Sequence, residues 1–410
     1  MKLKVTIAFM LLVGTFLAPC LAQIGTAHAT NMPSPSWRVK TPVPTPRGQA
    51  AVVAGNDGLI YVIGGFSGGV SYSTVEAYNS LTDKWTTKSA MPMAIRGAAA
   101  TKGLDGTIYM ISGWNVSYTN VLLAYNTTSD AWIEKAPIPN ATWIASAATG
   151  DDGRIYVFGG ESSGLFFSNK TQIYNPSTNN WTAGADMPTS RKGCGAVKAD
   201  NGLIYVFGGS NGSALSIVEA YDPSADTWIQ RTPMPSPKVQ FGLVAGPDKK
   251  IYVIGGGTET GNNDPPFFNT VEIYDPNTDT WTIPSWSESI MPTERKELGA
   301  ALGSNGRIYT IGGANGGYID ANEEATIAVD VDYTVDPVYI QVTQLNQTLN
   351  ALTDTIDDMN AQMLELNSTI DNLHSKLDLM TVELLAAGIA TMILIVVTIA
   401  VVYTTRAKKP

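Results

Sequence analysis

The sequence predicts an all-β protein: a six-bladed β-propeller closed by an N-terminal strand, followed by a coiled-coil helix and one transmembrane helix. Three observations lead there. A strand-like phrase ending in paired glycines recurs six times at a period near 48 residues. Five of the six copies are followed by a Tyr and a Trp seven residues apart. Beyond residue 342 the pattern changes to heptads, and then to an unbroken apolar run.

The phrase occupies 60–65, 108–113, 155–160, 204–209, 251–256 and 308–313, from Ile60 to Gly65 in its first copy. Turns such as Asn56-Asp57-Gly58 and Asp151-Asp152-Gly153 precede it, and Asp-Gly or Asn-Gly between apolar runs marks a tight hairpin. A second hairpin follows, spanned by Tyr78/Trp85, Tyr125/Trp132, Tyr174/Trp181, Tyr221/Trp228 and Tyr274/Trp281. Each unit therefore reads as four antiparallel strands whose two faces are covered by stacking copies radially. The sixth phrase lacks its Trp and offers Thr326 to Asp332 as a third strand. Trp37 to Pro44 matches Trp85 to Pro92, so an N-terminal strand is expected to complete the last blade and leave no open edge.

Two segments address the compartment. Lys2 and Lys4 precede an apolar run from Val5 to Ala18 and the small-x-small triplet Ala27-His28-Ala29, the plan of a signal peptide cut after Ala29. Pro19 directly before Cys20 fits a lipid-anchor signal poorly. Leu384 to Tyr403 carries no charge and would span about 30 Å as a helix. Arg406, Lys408 and Lys409 follow it, which places the tail in the cytoplasm and the rest outside. The expected organisation is a signal peptide (1–29), propeller (30–333), linker (334–341), coiled-coil stalk (342–383), transmembrane helix (384–403) and cytoplasmic tail (404–410), a single-pass cell-membrane protein. Eight glycosylation acceptors fall outside the membrane, at Asn115, Asn126, Asn140, Asn169, Asn180, Asn211, Asn346 and Asn367.

In the stalk, apolar residues alternate by three and four from Val342 through Leu345, Leu349, Leu352 and Ile356 to Leu384, about 64 Å of helix. A homo-oligomer is expected through this stripe. Val342, Ile356 and Ile370 at a-type positions lean towards a parallel dimer, although the a-sites are mixed. Asn346 and Asn367 sit at e positions; either those acceptors are empty or the assembly is loose.

The recurring glycine pairs with spaced Tyr and Trp resemble the kelch repeat, over about 300 residues, with Ser112 standing in for one glycine. Glycine would allow close packing where blades converge, while Tyr and Trp fill the wider periphery. In some kelch proteins arginines on the segments leading into the first strands line the channel mouth and hold acidic ligands. Carried over by position, the resemblance implies an incomplete basic ring of Arg47, Arg96, Arg191, Lys238 and Arg295, with Trp143 in the remaining place. Loops on the same face add Trp114, Tyr118, Phe166, Phe167, Phe267, Phe268 and Tyr318, aromatics that beside cations suit sugars and carboxylates.

Composition excludes several chemistries. A net charge of −10 without a basic stripe argues against nucleic acid. The chain's two histidines, His28 and His374, lie outside the repeats, so the copper chemistry of kelch-type galactose oxidases lacks ligands, and no cofactor or catalytic residue is assigned. Cys194 has no neighbouring His and reads as a small core residue. Glu76, Glu219 and Glu272, each two residues before the repeat Tyr, read as framework. The expected function is recognition of an extracellular glycan or protein at the loop face. The alternatives are a sugar-active enzyme resembling sialic-acid mutarotases, with Glu161, Glu259 or Glu294 as acid/base, or a structural part of a surface layer.

Overall fold

The structure, a computed structural model, describes residues 37–258, 264–284, 290–326 and 337–406, and within the last of these the side chains of 359 and 362–398. The segments expected to be the signal peptide and the end of the tail lie outside the described residues, as does Glu259.

Six four-stranded antiparallel sheets form the repeats. In the first blade β2 (Ala51–Ala54), β3 (Ile60–Ile63), β6 (Val75–Asn79) and β7 (Lys84–Lys88) pair in that order, with a small hairpin of β4 (Phe66–Ser67) and β5 (Val70–Ser71) inserted. The four residues of every phrase strand are fully buried, so these strands do not alternate between inside and outside. That follows from a sheet covered on both faces by neighbouring blades. Buried clusters accordingly join adjacent blades: Tyr61, Ile63 and Val75 pack with Ile108, Met110 and Tyr125.

The ring closes through β1 (Trp37–Val39), which pairs with the strand Asn322–Ala325 at the outer edge of the last sheet. Trp37 stands opposite Ala325 as Trp85 stands opposite Tyr78. The third strand of this blade is thus Asn322–Ala325 and not the expected Thr326 to Asp332, of which 327–332 lie outside the described residues. Ala325 occupies the place of the repeat Tyr, which hid the match. The role of a turn-capping acid passes to Glu324, which bonds the Tyr309 hydroxyl and Arg307.

Two sets of repeated side chains tie the periphery together. The phrase Tyr caps its own turn: Tyr61 donates to Asp57 (2.6 Å), Tyr156 to Asp152 (2.7 Å), and at Tyr205 the Asn201 amide donates instead (2.9 Å). The outer Tyr donates to an acid or amide five residues on, Tyr78 to Asp83, Tyr125 to Asp130, Tyr174 to Asn179, Tyr221 to Asp226 and Tyr274 to Asp279, at 2.5–2.8 Å. The same oxygen accepts a backbone N–H from the preceding blade, at Thr41, Ser89, Ala136, Ala185 and Thr232. The indole N–H two residues later donates to the carbonyl of that same residue at 2.8–3.1 Å. The spacing of Tyr and Trp therefore encodes a seam between blades.

The paired glycines make a second seam near the axis. The second position of each pair, Gly65, Gly113, Gly160, Gly209, Gly256 and Gly313, donates its N–H to a carbonyl of the next blade at 2.8–3.0 Å, from Ile95 round to Arg47. The first glycine lies against the same carbonyl with left-handed backbone: a Cβ on Gly312 (φ +66°) would sit 2.5 Å from the Arg47 oxygen. Ser112 shows how a side chain is accommodated. It keeps φ 58°, and its hydroxyl bonds the Thr119 and Thr142 carbonyls.

The helix α1 (Pro337–Arg406) is continuous over 70 residues and forms a separate unit from the propeller. It contains a stretch long and apolar enough to cross a membrane, Gln362–Thr398. The large apolar side chains described along it are exposed, among them Met363, Leu366, Ile370, Leu373, Leu377 and Leu384.

Two predictions follow from the seams. Gly312→Ala should destabilise the propeller by about 1–2 kcal/mol from left-handed strain, with the carbonyl clash added, read as a lowered denaturation midpoint. The second concerns acid. Asp83, Asp130 and Asp279 are partly buried, which opposes ionisation, but the Tyr hydroxyl and backbone N–H hold each below the usual carboxylate range. At Asp226 the Ala185 N–H is the largest cause of the same lowering. Such groups contribute stability that is present above the unfolded value near ~4 and is lost as pH falls through the folded value. Asn179 makes the same bonds without titrating. Replacing the four acids by Asn should move the acid-unfolding midpoint, followed by Trp fluorescence, to lower pH.

Candidate functional site

The segment leading into each innermost strand places three successive residues in three environments. The first position is buried: Arg47, Ile95, Thr142, Arg191, Lys238 and Arg295. The second bridges the loop after the glycines: Gly48 to Phe66, Arg96 to Trp114, Trp143 to Glu161, Lys192 to Ser210, Val239 to Gly257 and Lys296 to Ala314. The third, Gln49, Gly97, Ile144, Gly193, Gln240 and Glu297, has φ between 47° and 63°. Its N–H donates to the carbonyl of the same position one blade back, at 2.8–3.1 Å, so six peptide groups close a hydrogen-bonded ring around the axis.

This register corrects the expected basic ring. Arg47, Arg191, Lys238 and Arg295 are at most 1% exposed and do not face the mouth. Each pairs with the glutamate two residues before the outer Tyr position, which Ala325 fills in the last blade: Arg47 with Glu76 (2.9 Å), Arg191 with Glu219, Lys238 with Glu272 (3.3 Å) and Arg295 with Glu323 (2.6 Å). A hydroxyl two residues ahead of the cation, on Thr45, Thr189, Ser236 or Thr293, donates to the same carboxylate. Burial pushes the Arg47, Lys238 and Arg295 side chains down from their ordinary values, while their glutamate partners act in the opposite sense. Where the cation is missing the whole set changes. The second blade has Met93, Ile95 and Leu123, and the third has Asn140, Thr142 and Gln172, with Gln172 accepting from the Asn140 N–H (2.8 Å).

Arg96 belongs one register further on, at the rim. Its guanidinium lies 4.1 Å from the Phe66 ring centroid and 5.5 Å from that of Trp143. Trp114 packs against Trp143 (5.7 Å) and Tyr118 (4.9 Å), and Tyr318 meets Phe66 edge-on (5.5 Å). The Tyr118 hydroxyl donates to Glu161 (2.7 Å), which also pairs with Lys192. Lys192 lies 5.5 Å from Phe167, Lys238 4.7 Å from Phe268 and Lys296 5.6 Å from Phe267. The structure thus gathers Arg96, Trp143, Trp114, Tyr118, Phe267 and Tyr318 on the loop face, and sequence reasoning missed Phe66, Lys192, Lys296 and Glu297. Arg96 and Trp143 were one residue out of line with the other cations, and that offset was the available signal.

Inside the rim, a funnel of 120 Å³ is lined by the amide-ring residues and those that follow them, including Cys194 and Phe241. Burial pushes the Cys194 thiol up, and it meets the Ser146 hydroxyl (3.4 Å); the residue is half-buried, packing against an apolar cluster at the funnel wall instead of lying within the core as expected. Glu297 is 5% exposed; burial raises its carboxyl, and the Gln49 amide with the charges of Lys296 and Arg96 only partly offsets this. Glu294 is exposed, and among the described residues no cluster of His, Cys, Asp or Glu could hold a metal. Of the Asn-x-Ser/Thr sites in the propeller, Asn126, Asn140, Asn180 and Asn211 are exposed and Asn115 is half-buried, whereas the Asn169 amide donates to the Met187 carbonyl (3.3 Å).

Comparison with known proteins agrees with this geometry. The KLHDC2/KLHL20/DRC7 Kelch-repeats domain matches residues 87–256 and 146–331, and the Kelch motif matches 46–92. The chain belongs to the kelch-repeat β-propeller family. The solved structure of YjhT is similar in fold, with a TM-score of 0.60, 16% identity, and coverage of 72% of this chain and 98% of that one. No curated protein matches.

The buried triads give a direct test. Glu219→Leu alone leaves Arg191 buried and unpaired and should cost about 3–5 kcal/mol. Thr189→Met/Arg191→Ile/Glu219→Leu, which copies the second blade, should recover most of that loss in urea unfolding.

Proposed function

We propose that this protein is a membrane-anchored cell-surface receptor whose propeller binds an extracellular glycan at the loop face. The observation that carries the reading is the rim, where cations lie over or beside aromatic rings in several neighbouring blades, foremost Arg96 against Phe66 and Trp143. Such surfaces offer a stacking face for the apolar side of a sugar ring and donors for its hydroxyls or carboxylates. Glycans on Asn140 or Asn211 would narrow access, which favours recognition by the rim over a deep cleft.

The apolar stretch of the C-terminal helix supports the anchor, with the basic residues after it facing the cytoplasm. Its stripe of exposed Met359, Met363, Leu366, Ile370, Leu373, Leu377 and Met380 at spacings of three and four fits a second copy of the same helix. Pairing there would multiply weak contacts by avidity.

The test is a glycan array probed with the full-length chain in detergent, beside Arg96→Ala/Trp143→Ala. Selective binding that falls at least ~10-fold in the variant, about 1.4 kcal/mol, is expected. A folded chain that binds no glycan overturns this reading and moves the weight to a protein partner.

A further inference from the structure

The floor inside the rim is chemically lopsided. Going round the amide ring, Gln240, Glu297 and Gln49 are consecutive and polar, whereas Gly97, Ile144 and Gly193 present a methyl-bearing side chain or none. Glu297 is the unusual member. It is nineteen-twentieths buried, lines the funnel, and has the Gln49 amide and the charges of Lys296 and Arg96 nearby, yet neither carboxylate oxygen meets a donor at full hydrogen-bonding geometry. The side-chain amide oxygen of Gln240 and the Tyr318 hydroxyl are likewise buried without a bond. Desolvated polar atoms are costly unless something supplies the missing bonds. The chain also keeps the space open: a Cβ on Gly48 would come within 2.7 Å of Glu297 Oε2 and 3.0 Å of the Tyr318 ring. Ile144, a β-branched residue, is meanwhile held at φ 47°, strain of the kind that persists where surrounding structure fixes a site.

We infer that Glu297, flanked by Gln240 and Tyr318, is the acceptor of a subsite that reads vicinal hydroxyls on the terminal residue of a glycan. The subsite rests on the loop-face reading above and adds its polar anchor. A sugar edge supplies O–H donors to the Glu297 carboxylate, while its C–H face lies towards Ile144 and Trp143. The funnel's 120 Å³ is about four water volumes, so one edge of a terminal sugar enters and the rest of the glycan lies on the rim. A ligand carboxylate is turned away from this floor by Glu297 and belongs at Arg96.

The experiment compares wild type, Glu297→Gln and Arg96→Ala/Trp143→Ala, all full-length, on the same glycan array, with thermal unfolding of each. Glu297→Gln should lose at least ~10-fold in affinity for the glycans bound by wild type. Deoxy analogues lacking one of the paired hydroxyls should bind wild type that much more weakly and the variant no more weakly still. Without ligand, Glu297→Gln should unfold at a higher temperature than wild type, because a buried charge that its neighbours only partly offset has been removed. Unchanged glycan binding in Glu297→Gln, with loss in the rim variant, overturns the subsite and leaves the loop-face reading standing. No glycan binding by wild type overturns both. A lowered unfolding temperature for Glu297→Gln overturns the subsite independently of any ligand, since the carboxylate would then be satisfied within the fold.

Discussion

Six peptide groups, one from each blade, hand a hydrogen bond round the axis until the last returns to the first. Each bond can form only if its residue adopts left-handed backbone and its blade stands at the right rotation, so the ring couples local conformation to global closure. Immediately outside it, the glycine N–H groups make a second circuit to the carbonyls two residues earlier in the same segments. A slip of one residue in any segment would break bonds in both circuits and turn a buried cation into a rim residue. The placement of every side chain at the mouth depends on this constraint.

The cation–glutamate pairs depend on it too, and they explain a repeated acidity that carries no ligand. A buried ion pair is a poor source of stability compared with well-packed apolar groups, yet losing one partner is severe. The blades show both solutions side by side, with Arg47 and Glu76 in the first and Ile95 and Leu123 in the second. The members change together within a blade because neither side chain is tolerable there without its complement.

Much of the fold was legible because the repeat is read against itself. Six phrases, five Tyr–Trp pairs and an unmatched Trp37 specified the blade number and the strand that closes the ring. The last blade's third strand was misplaced because Ala325 carries no Tyr signature, although Glu323, two residues earlier, keeps the acid of the other blades. The site was half legible. Arg96 and Trp143 do lie on the loop face, but they were grouped with Arg47, Arg191, Lys238 and Arg295 although each stands one place further along its segment, where Ile95 and Thr142 take the buried position. Sequence spacing alone does not tell a buried register from an exposed one where left-handed residues interrupt the strand. Glu297 was invisible for a different reason: its neighbours on the funnel floor come from other blades, and nothing local to Lys296 and Leu298 sets it apart.

The closing strand also has a consequence for how the chain is made. Trp37 pairs with Ala325, residues separated by nearly the whole propeller. Synthesis delivers the N-terminus first, so β1 emerges as an orphan with its partner still to be translated. Long-range pairing of this sort is slow to form, and an unpaired strand edge is a template for wrong associations. Biogenesis therefore ends where the sequence began, and the nascent chain passes through a stage in which five blades exist and no ring does.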